Sequence, residues 1–186
     1  ITQGITKIYY LVGWQYLGHD DKYPDFFEVN EALKRKGDKT AYGSFKWLCN
    51  EAKNYHSVVS VHINFNDAYE NAPSFNDFVK AGALIRKKNG KPNPIEKYNG
   101  KKCYKTCHKG YWESGLFKKQ LDRFVDTFPF IAETGTIHVD NFQCYKNYSP
   151  YVSLKEMQDA RRKMIEYVKS KGIDITSEFT YKEGNE

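Results

Sequence analysis

The sequence predicts an α/β fold, a partial (β/α) barrel of the TIM type with about four βα units, and three observations lead there. Four short β-branched segments, Ile8–Gln15, Val58–Asn64, Thr136–Phe142 and Ile173–Phe179, alternate with stretches of helical periodicity, the pattern of a mainly parallel sheet. Within the segments one face is aliphatic and the other polar. Val59, Val61 and Ile63 oppose Ser60, His62 and Asn64; Ile137 and Val139 oppose Thr136, His138 and Asp140; Ile173 and Ile175 oppose Asp174, Thr176 and Glu178. Finally, each segment delivers a polar residue at its C-terminal end: Gln15, His62 with Asn64, Asp140, and Glu178. A doubly wound sheet is covered by helices on both faces and is aliphatic on both. A polar face fits a barrel interior near its C-terminal mouth, where such barrels place their chemistry. Any one of these polar residues also reads as a satisfied core group or a turn cap, but four at one level argue for a site.

Four strands make at most half of an eight-stranded barrel. The remaining strands are therefore expected from sequence outside these 186 residues or from association. The chain reads as one partial catalytic domain, residues 1–186, with an inserted loop at about 82–111, where Pro and Gly punctuate the sequence. As a lid that loop would gate access; it reads equally as a surface excursion.

The helices follow in order. Ser44 is placed to cap a helix carrying Phe45, Leu48 and Ala52 on one face, and Ser74-Phe-Asn-Asp77 has the form of a capping box for a shorter one. Phe117, Leu121, Phe124, Val125 and Phe128 keep i, i+3/i+4 spacing. Ser153-Leu-Lys-Glu156 is a second capping box. It opens a helix with Leu154, Met157, Ala160, Met164 and Val168 on one face and Gly172 at its C-terminal stop.

With 40% hydrophobic and 28% charged residues the chain has material for a packed core. Its net charge of +6 does not predict nucleic-acid binding, because the lysines are interleaved with 23 acidic residues and no recognition motif accompanies them. No apolar run approaches the roughly 18–20 residues that span a bilayer. The opening Ile1-Thr-Gln-Gly4 carries neither an initiator Met nor a signal-peptide pattern, so the sequence reads as a piece of a longer or processed protein. Aromatics reach 16%, with 15 Tyr. Such faces suit the C–H surfaces of sugar rings, although core and surface packing uses the same residues. Cys49, Cys103, Cys107 and Cys144 read as buried free thiols or as disulfide partners. Cys103-x3-Cys107-His108 lacks a second cluster to complete a zinc set, so no metal ligands and no cofactor are assigned.

Asp140 and Glu178 are 178 − 140 = 38 residues apart with one capped helix between them. A right-handed crossover makes their strands neighbours, roughly 4.8 Å apart, which brings the carboxylates to roughly 5–6 Å. Retaining glycosidases need about 5–5.5 Å, and inverting ones about 6.5–9.5 Å to admit a water. Two such groups push their pKa values apart, one kept protonated as acid and the other ionised as nucleophile. The alternative is a pair that caps strand ends or binds a divalent cation.

The run Tyr10-Leu-Val-Gly-Trp-Gln-Tyr-Leu-Gly-His-Asp-Asp-Lys-Tyr-Pro24 resembles the opening barrel motif of the endo-α-N-acetylgalactosaminidases, glycoside hydrolase family 101. Ser60-Val-His-Ile-Asn-Phe-Asn-Asp-Ala-Tyr69, Trp112-Glu-Ser-Gly115, Gly135-Thr-Ile-His-Val-Asp140 and Gly172-Ile-Asp-Ile-Thr-Ser-Glu178 resemble later motifs of that family, in family order. The resemblance implies a secreted or wall-attached bacterial hydrolase that releases galactosyl-β1,3-N-acetylgalactosamine from Ser/Thr of mucin-type O-glycoproteins with retention. It implies Asp140 as nucleophile, Glu178 as general acid/base, and Asp20 and His62 as ligands of sugar hydroxyls, with Trp14, Gln15, His19 and Asn64 as further substrate-pocket candidates. In one place the sequence departs. The family's tryptophan-rich segment for the terminal sugar is replaced by Lys91-Pro-Asn-Pro-Ile-Glu-Lys-Tyr-Asn-Gly-Lys-Lys-Cys103, where Tyr98 or Tyr104 is the available stacking surface. A related α-glycosidase with another glycan specificity, or a non-catalytic carbohydrate-binding fragment, are the competing expectations.

Overall fold

The computed structural model describes residues 5–98, 100–144 and 150–178. The elements in chain order are β1 (Lys7–Leu11), α1 (Ala41–Lys53), β2 (Ser57–Asn64), β3 (Asp67–Tyr69), α2 (Phe75–Lys80), β4 (Pro94–Tyr98), β5 (Lys101–Lys105), α3 (His108–Glu113), α4 (Leu116–Thr127), α5 (Pro129–Ala132), β6 (Thr136–Asp140), α6 (Leu154–Ser170) and β7 (Asp174–Thr176). Strands β1, β2, β6 and β7 form one parallel sheet in that order, each beside the next in sequence among the barrel strands. This is the partial barrel expected from the alternation of strands and helices.

The aliphatic face of the sheet is the buried one. Val61, Ile63, Ile137 and Val139 are sealed from solvent beneath Phe45 and Cys49 of α1, Phe124 of α4, and Met164 and Val168 of α6. At about 25 cal/mol per Å² this burial is what fixes which face of each strand turns inward, because a slip of one residue would exchange the two faces. The opposite face carries Ile8 and Val12 of the β1 segment at 51% and 58% exposure. The lumen side is thus open along its first strand.

Three of the four strands are shorter than the sequence pattern suggests, whereas β2 spans all of its expected segment. β1 stops at Leu11, and Gly13 takes φ +73°, a left-handed turn that a side chain would resist. β6 stops at Asp140, followed by Asn141 at φ +45°, and β7 runs only from Asp174 to Thr176. Phe179, expected in the last strand, lies outside the described residues. Two caps also differ. α1 begins at Ala41 with Thr40 accepting the Gly43 N–H, while the Ser44 hydroxyl, inside the helix, donates to Asp38 Oδ2 at 2.6 Å. Ser74 precedes α2 without capping it, because its hydroxyl is committed to Asp25 Oδ2 at 2.7 Å. The Ser153–Glu156 capping box forms as the sequence predicts, and Gly172 takes φ +76° after α6.

The segment read as a loop at about 82–111 contains regular structure. β4 and β5 form an antiparallel hairpin, and β5 also pairs with β3, giving a second sheet in the order β3-β5-β4. Lys-rich strands with Pro at one end lack the β-branched signature, which hid them in the sequence. The segment is pinned to α3 by a close backbone approach: a Cβ on Gly110 would lie 2.1 Å from the Gly82 carbonyl oxygen, so only glycine fits.

Candidate active site

Strand register stacks the polar side chains in layers. At the lowest level Tyr10 lies opposite Ser60. Its hydroxyl meets Thr136 Oγ1 at 2.7 Å, and Ser60 donates to the Thr136 carbonyl at 2.5 Å. One level up, His62 is opposite His138, which is opposite Thr176. At the C-terminal ends Asn64 is opposite Asp140, and Glu178 follows Thr176 by two residues.

Asn64 organises the top level. Its Oδ1 accepts the backbone N–H groups of Asn66 and Asp67 at 2.7 and 2.9 Å, which forces its amide NH2 toward the carboxylates. There Nδ2 donates to Asp67 Oδ2 at 2.8 Å and to Asp140 Oδ2 at 3.2 Å. Lys105 of β5 donates to the other Asp67 oxygen at 2.5 Å. Neither Asp67 nor Lys105 was singled out by sequence. Asp67 is three residues beyond Asn64 within a recognised motif, whereas Lys105 sits on a strand that the pattern did not reveal.

Asp140 and Glu178 are brought to the same end of the sheet, near enough for the Glu178 charge to act on Asp140. Burial, then the charges of Glu178 and Asp67, raise the Asp140 carboxyl to about 6. Asp140 is half-buried beside the Glu178 and Asp67 carboxylates, while the Glu178 side chain is 47% exposed. At pH 7 Asp140 is still roughly nine-tenths ionised, so it remains available as an anion.

This carries a consequence for stability. Because folding raises the Asp140 pKa above its ordinary 3.8, its contribution is present below about pH 4 and is lost as pH rises through about 6. The shift corresponds to about 3 kcal/mol, reduced to about 1–2 kcal/mol by solvent screening at a half-buried group. Asp140→Asn keeps an oxygen for Asn64 and removes the charge. Urea denaturation is therefore expected to show the variant about 1–2 kcal/mol more stable than the parent at pH 7.5, with the gain nearly gone at pH 3.5. Equal stabilities at pH 7.5 would show that the clustered carboxylates cost nothing.

The two histidines are neutral at pH 7. Burial lowers both pKa values, and for His62 the neighbouring His138 and His19 lower it further. Their rings stack with centroids 5.0 Å apart and 29° between planes. His138 Nδ1 pairs with Thr176 Oγ1 at 2.8 Å, and His62 Nε2 lies 3.9 Å from Glu178 Oε1. Sequence parity placed His138 on this face but gave it no role.

The β1–α1 connection supplies the wall. His19 stands edge-on to His62 with centroids 5.5 Å apart, and its Nε2 is 3.5 Å from Asp20 Oδ2. Asp20 adopts φ +56° and sits beside the hydroxyls of Tyr23 and Tyr69, whose ionisation burial opposes most strongly and the Asp20 charge opposes further. Gln15 Oε1, Tyr23 Oη, Tyr69 Oη and His62 Nδ1 are buried without a well-formed hydrogen bond among the described residues. Such groups concentrate where a ligand completes the network.

Three aromatic candidates have different surroundings. Trp14 is sealed beneath the sheet among Phe45, Phe124 and Phe128, with centroids 5.3–6.3 Å away. Its indole N–H donates to the His62 carbonyl at 3.0 Å, so it supports the site from behind and offers no face to a sugar. Tyr98 is half-buried on β4 and packs edge-on to Tyr69 at 6.5 Å. Tyr104 is turned to Phe75 and donates to Glu70 Oε1 at 3.0 Å.

The chain is similar in structure to the α-N-acetylgalactosaminidase NagBb from Bifidobacterium bifidum, both ligand-free and in a GalNAc complex. Each comparison gives a TM-score of 0.66 at 20% identity, over 92% of this chain and 27% or 26% of that one. A Thermus thermophilus α-galactosidase in complex with stachyose aligns with a TM-score of 0.53 at 10% identity, over 89% of this chain and 31% of that one. At these identities the likeness is one of fold. This chain spans about a quarter of the length of the first of these proteins. A comparison with curated protein sequences returned no match. The endo-α-N-acetylgalactosaminidase family model, glycoside hydrolase family 101, matches residues 1–186. With the whole length matched, the chain belongs to the endo-α-N-acetylgalactosaminidase family.

Proposed function

We propose that the complete protein is a retaining glycoside hydrolase that cleaves α-linked N-acetylgalactosamine from Ser or Thr of mucin-type O-glycoproteins. The observation that carries this reading is the convergence of two carboxylates at the C-terminal end of the parallel sheet, Asp140 closing β6 and Glu178 two residues beyond the neighbouring β7. Carboxyls on neighbouring strands suit the separation of about 5–5.5 Å of a covalent double displacement better than the about 6.5–9.5 Å by which an inverting enzyme admits a water. Asp140, ionised and aimed by Asn64, attacks the anomeric carbon while Glu178 protonates the departing Ser or Thr oxygen. Glu178 then activates water to release the sugar. Asp20, His62 and His19, with the buried hydroxyls of Tyr23 and Tyr69, supply hydrogen bonds to the ring hydroxyls. The exposed flank of Glu178 faces, on this reading, the part of the barrel contributed by other sequence.

Family membership also supports a secreted or wall-attached location. Among the described residues no helix is long and apolar enough to cross a membrane. The hairpin that replaces the family's tryptophan-rich segment favours a second reading in which the chemistry is kept and the terminal sugar differs. Screening aryl α-glycosides against the galactosyl-β1,3-GalNAc-α-aryl compound separates the two.

The mechanism is tested on a Glu178→Ala variant of the complete protein with an aryl glycoside bearing a good leaving group. The first step then needs no acid, and the trapped glycosyl-enzyme waits for a nucleophile. Azide is expected to restore turnover and to yield an α-glycosyl azide. A β-azide, or no azide effect at all, would overturn the retaining assignment.

A further inference from the structure

The stacked histidines carry more than a sugar-binding role. We propose that His62, His138 and Glu178 form a site for one divalent transition-metal ion of the zinc class, and that the ion inhibits the enzyme by occupying the Glu178 carboxylate. The ligand atoms of these three residues all lie within 4.8 Å of one another. Two come from facing positions on β2 and β6, held rigidly by the parallel register, and the third comes from just beyond β7. His138 Nδ1 is engaged by Thr176 Oγ1 at 2.8 Å, and Nε2 is the nitrogen that this pairing leaves for an ion. Anchoring a ligating imidazole through its second nitrogen is the usual way a protein orients a metal ligand.

The donor set chooses the ion. Two imidazoles with one carboxylate match zinc, cobalt or nickel, whereas magnesium and calcium require oxygen-rich shells. Bonds of roughly 2.0–2.1 Å put tetrahedral donor atoms roughly 3.4 Å apart, closer than the 3.9 Å between His62 Nε2 and Glu178 Oε1. The needed contraction falls on the Glu178 side chain, whose two-methylene stem is the most adjustable of the three. Three protein ligands leave one position open to water. An ion there ties up the lone pairs that Glu178 needs to receive and return a proton, so the bound form cannot act as acid/base. The inhibitory half of this proposal rests on the glycosidase reading; the binding half does not.

Binding is tested without substrate on the complete protein, with zinc by calorimetry and cobalt by its visible absorption. One ion per chain is expected, with cobalt bands of nitrogen–oxygen rather than thiolate character. His138→Ala is expected to weaken binding at least tenfold, and Thr176→Val, which removes only the anchor of Nδ1, about tenfold. Thermal melts of each variant confirm that it is folded. Cys144→Ser is expected to bind as the parent does. Failure of the folded parent to bind either ion, or binding unchanged in His138→Ala, overturns the site. Zinc is then titrated into the active complete protein. Inhibition reversed by a chelator supports the proposal, and full activity at saturating zinc overturns its inhibitory half. A protein that binds zinc through His138 but hydrolyses no glycoside would refute the glycosidase reading and leave the metal site standing.

Discussion

Asp140→Ala in the complete protein is expected to lower kcat on an activated aryl glycoside by a factor on the order of 10⁴ or more, the scale on which removal of a catalytic nucleophile is felt. KM is expected to change little, because the proposed function assigns the holding of the sugar to Asp20, His62 and His19 rather than to Asp140. The loss has two sources. No carboxylate remains to attack the anomeric carbon, and Asn64 keeps its second amide hydrogen without the acceptor 3.2 Å away. The fold is expected to survive, since Asp140 sits at the end of its strand and its charge is a burden to the folded state. Near-normal kcat in a folded Asp140→Ala protein would remove Asp140 from the mechanism. Loss of kcat together with loss of the thermal transition would show only that the fold had failed, which the more stable Asp140→Asn variant resolves.

Trp14→Ala is expected to destabilise the chain by about 3–5 kcal/mol, a large share of what a domain of this size holds. The indole is fully buried, touches Phe45, Phe124 and Phe128, and bonds the His62 carbonyl. Its removal leaves a cavity under the central strands and an unmet backbone acceptor at the residue before Ile63. Trp14→Phe refills most of the volume without the N–H, and is expected to recover roughly half of the loss. The measurement is a denaturant midpoint for each variant. A Trp14→Ala protein as stable as the parent but weaker in sugar binding would return Trp14 to the pocket, against its position in the core.

How far the sequence reveals this arrangement depends on which residues are asked. Val61 and Val139 lie in strands where parity is fixed by burial on one side, so the inward turn of His62, His138 and Asp140 follows from alternation alone. Glu178 follows from the same parity even though its strand ends at Thr176. Trp14 could not be placed this way, because Gly13 breaks the strand before it and parity no longer applies. Asp20 and His19 lie on a connection whose path depends on left-handed turns and on tertiary hydrogen bonds such as Tyr69 N to the Tyr23 carbonyl at 2.8 Å. The family motif locates them; periodicity does not. Asp67 and Lys105 meet only because β3 pairs with β5, a long-range contact between segments of weak strand propensity. The depressed pKa values of the two histidines and the raised one of Asp140 arise from burial and mutual proximity, which exist only once the strands are side by side.

The two sheets divide the molecule in evolutionary terms. In the parallel sheet both faces of every central strand are already committed, one to the aliphatic core and one to the layered polar groups, so almost any replacement there disturbs folding or chemistry. The β4–β5 hairpin is under no such double constraint: Lys97 is exposed, Tyr98 is half-buried, and Gly100 forms its turn in open space. Drift at its tip is nearly neutral for the carboxylates, while its base is tied back to them through Lys105 and Asp67. If the proposed function holds, a lineage can therefore explore new terminal sugars by rewriting the hairpin and leave Asp140 and Glu178 untouched. That is a fold in which selectivity is free to diversify faster than the reaction.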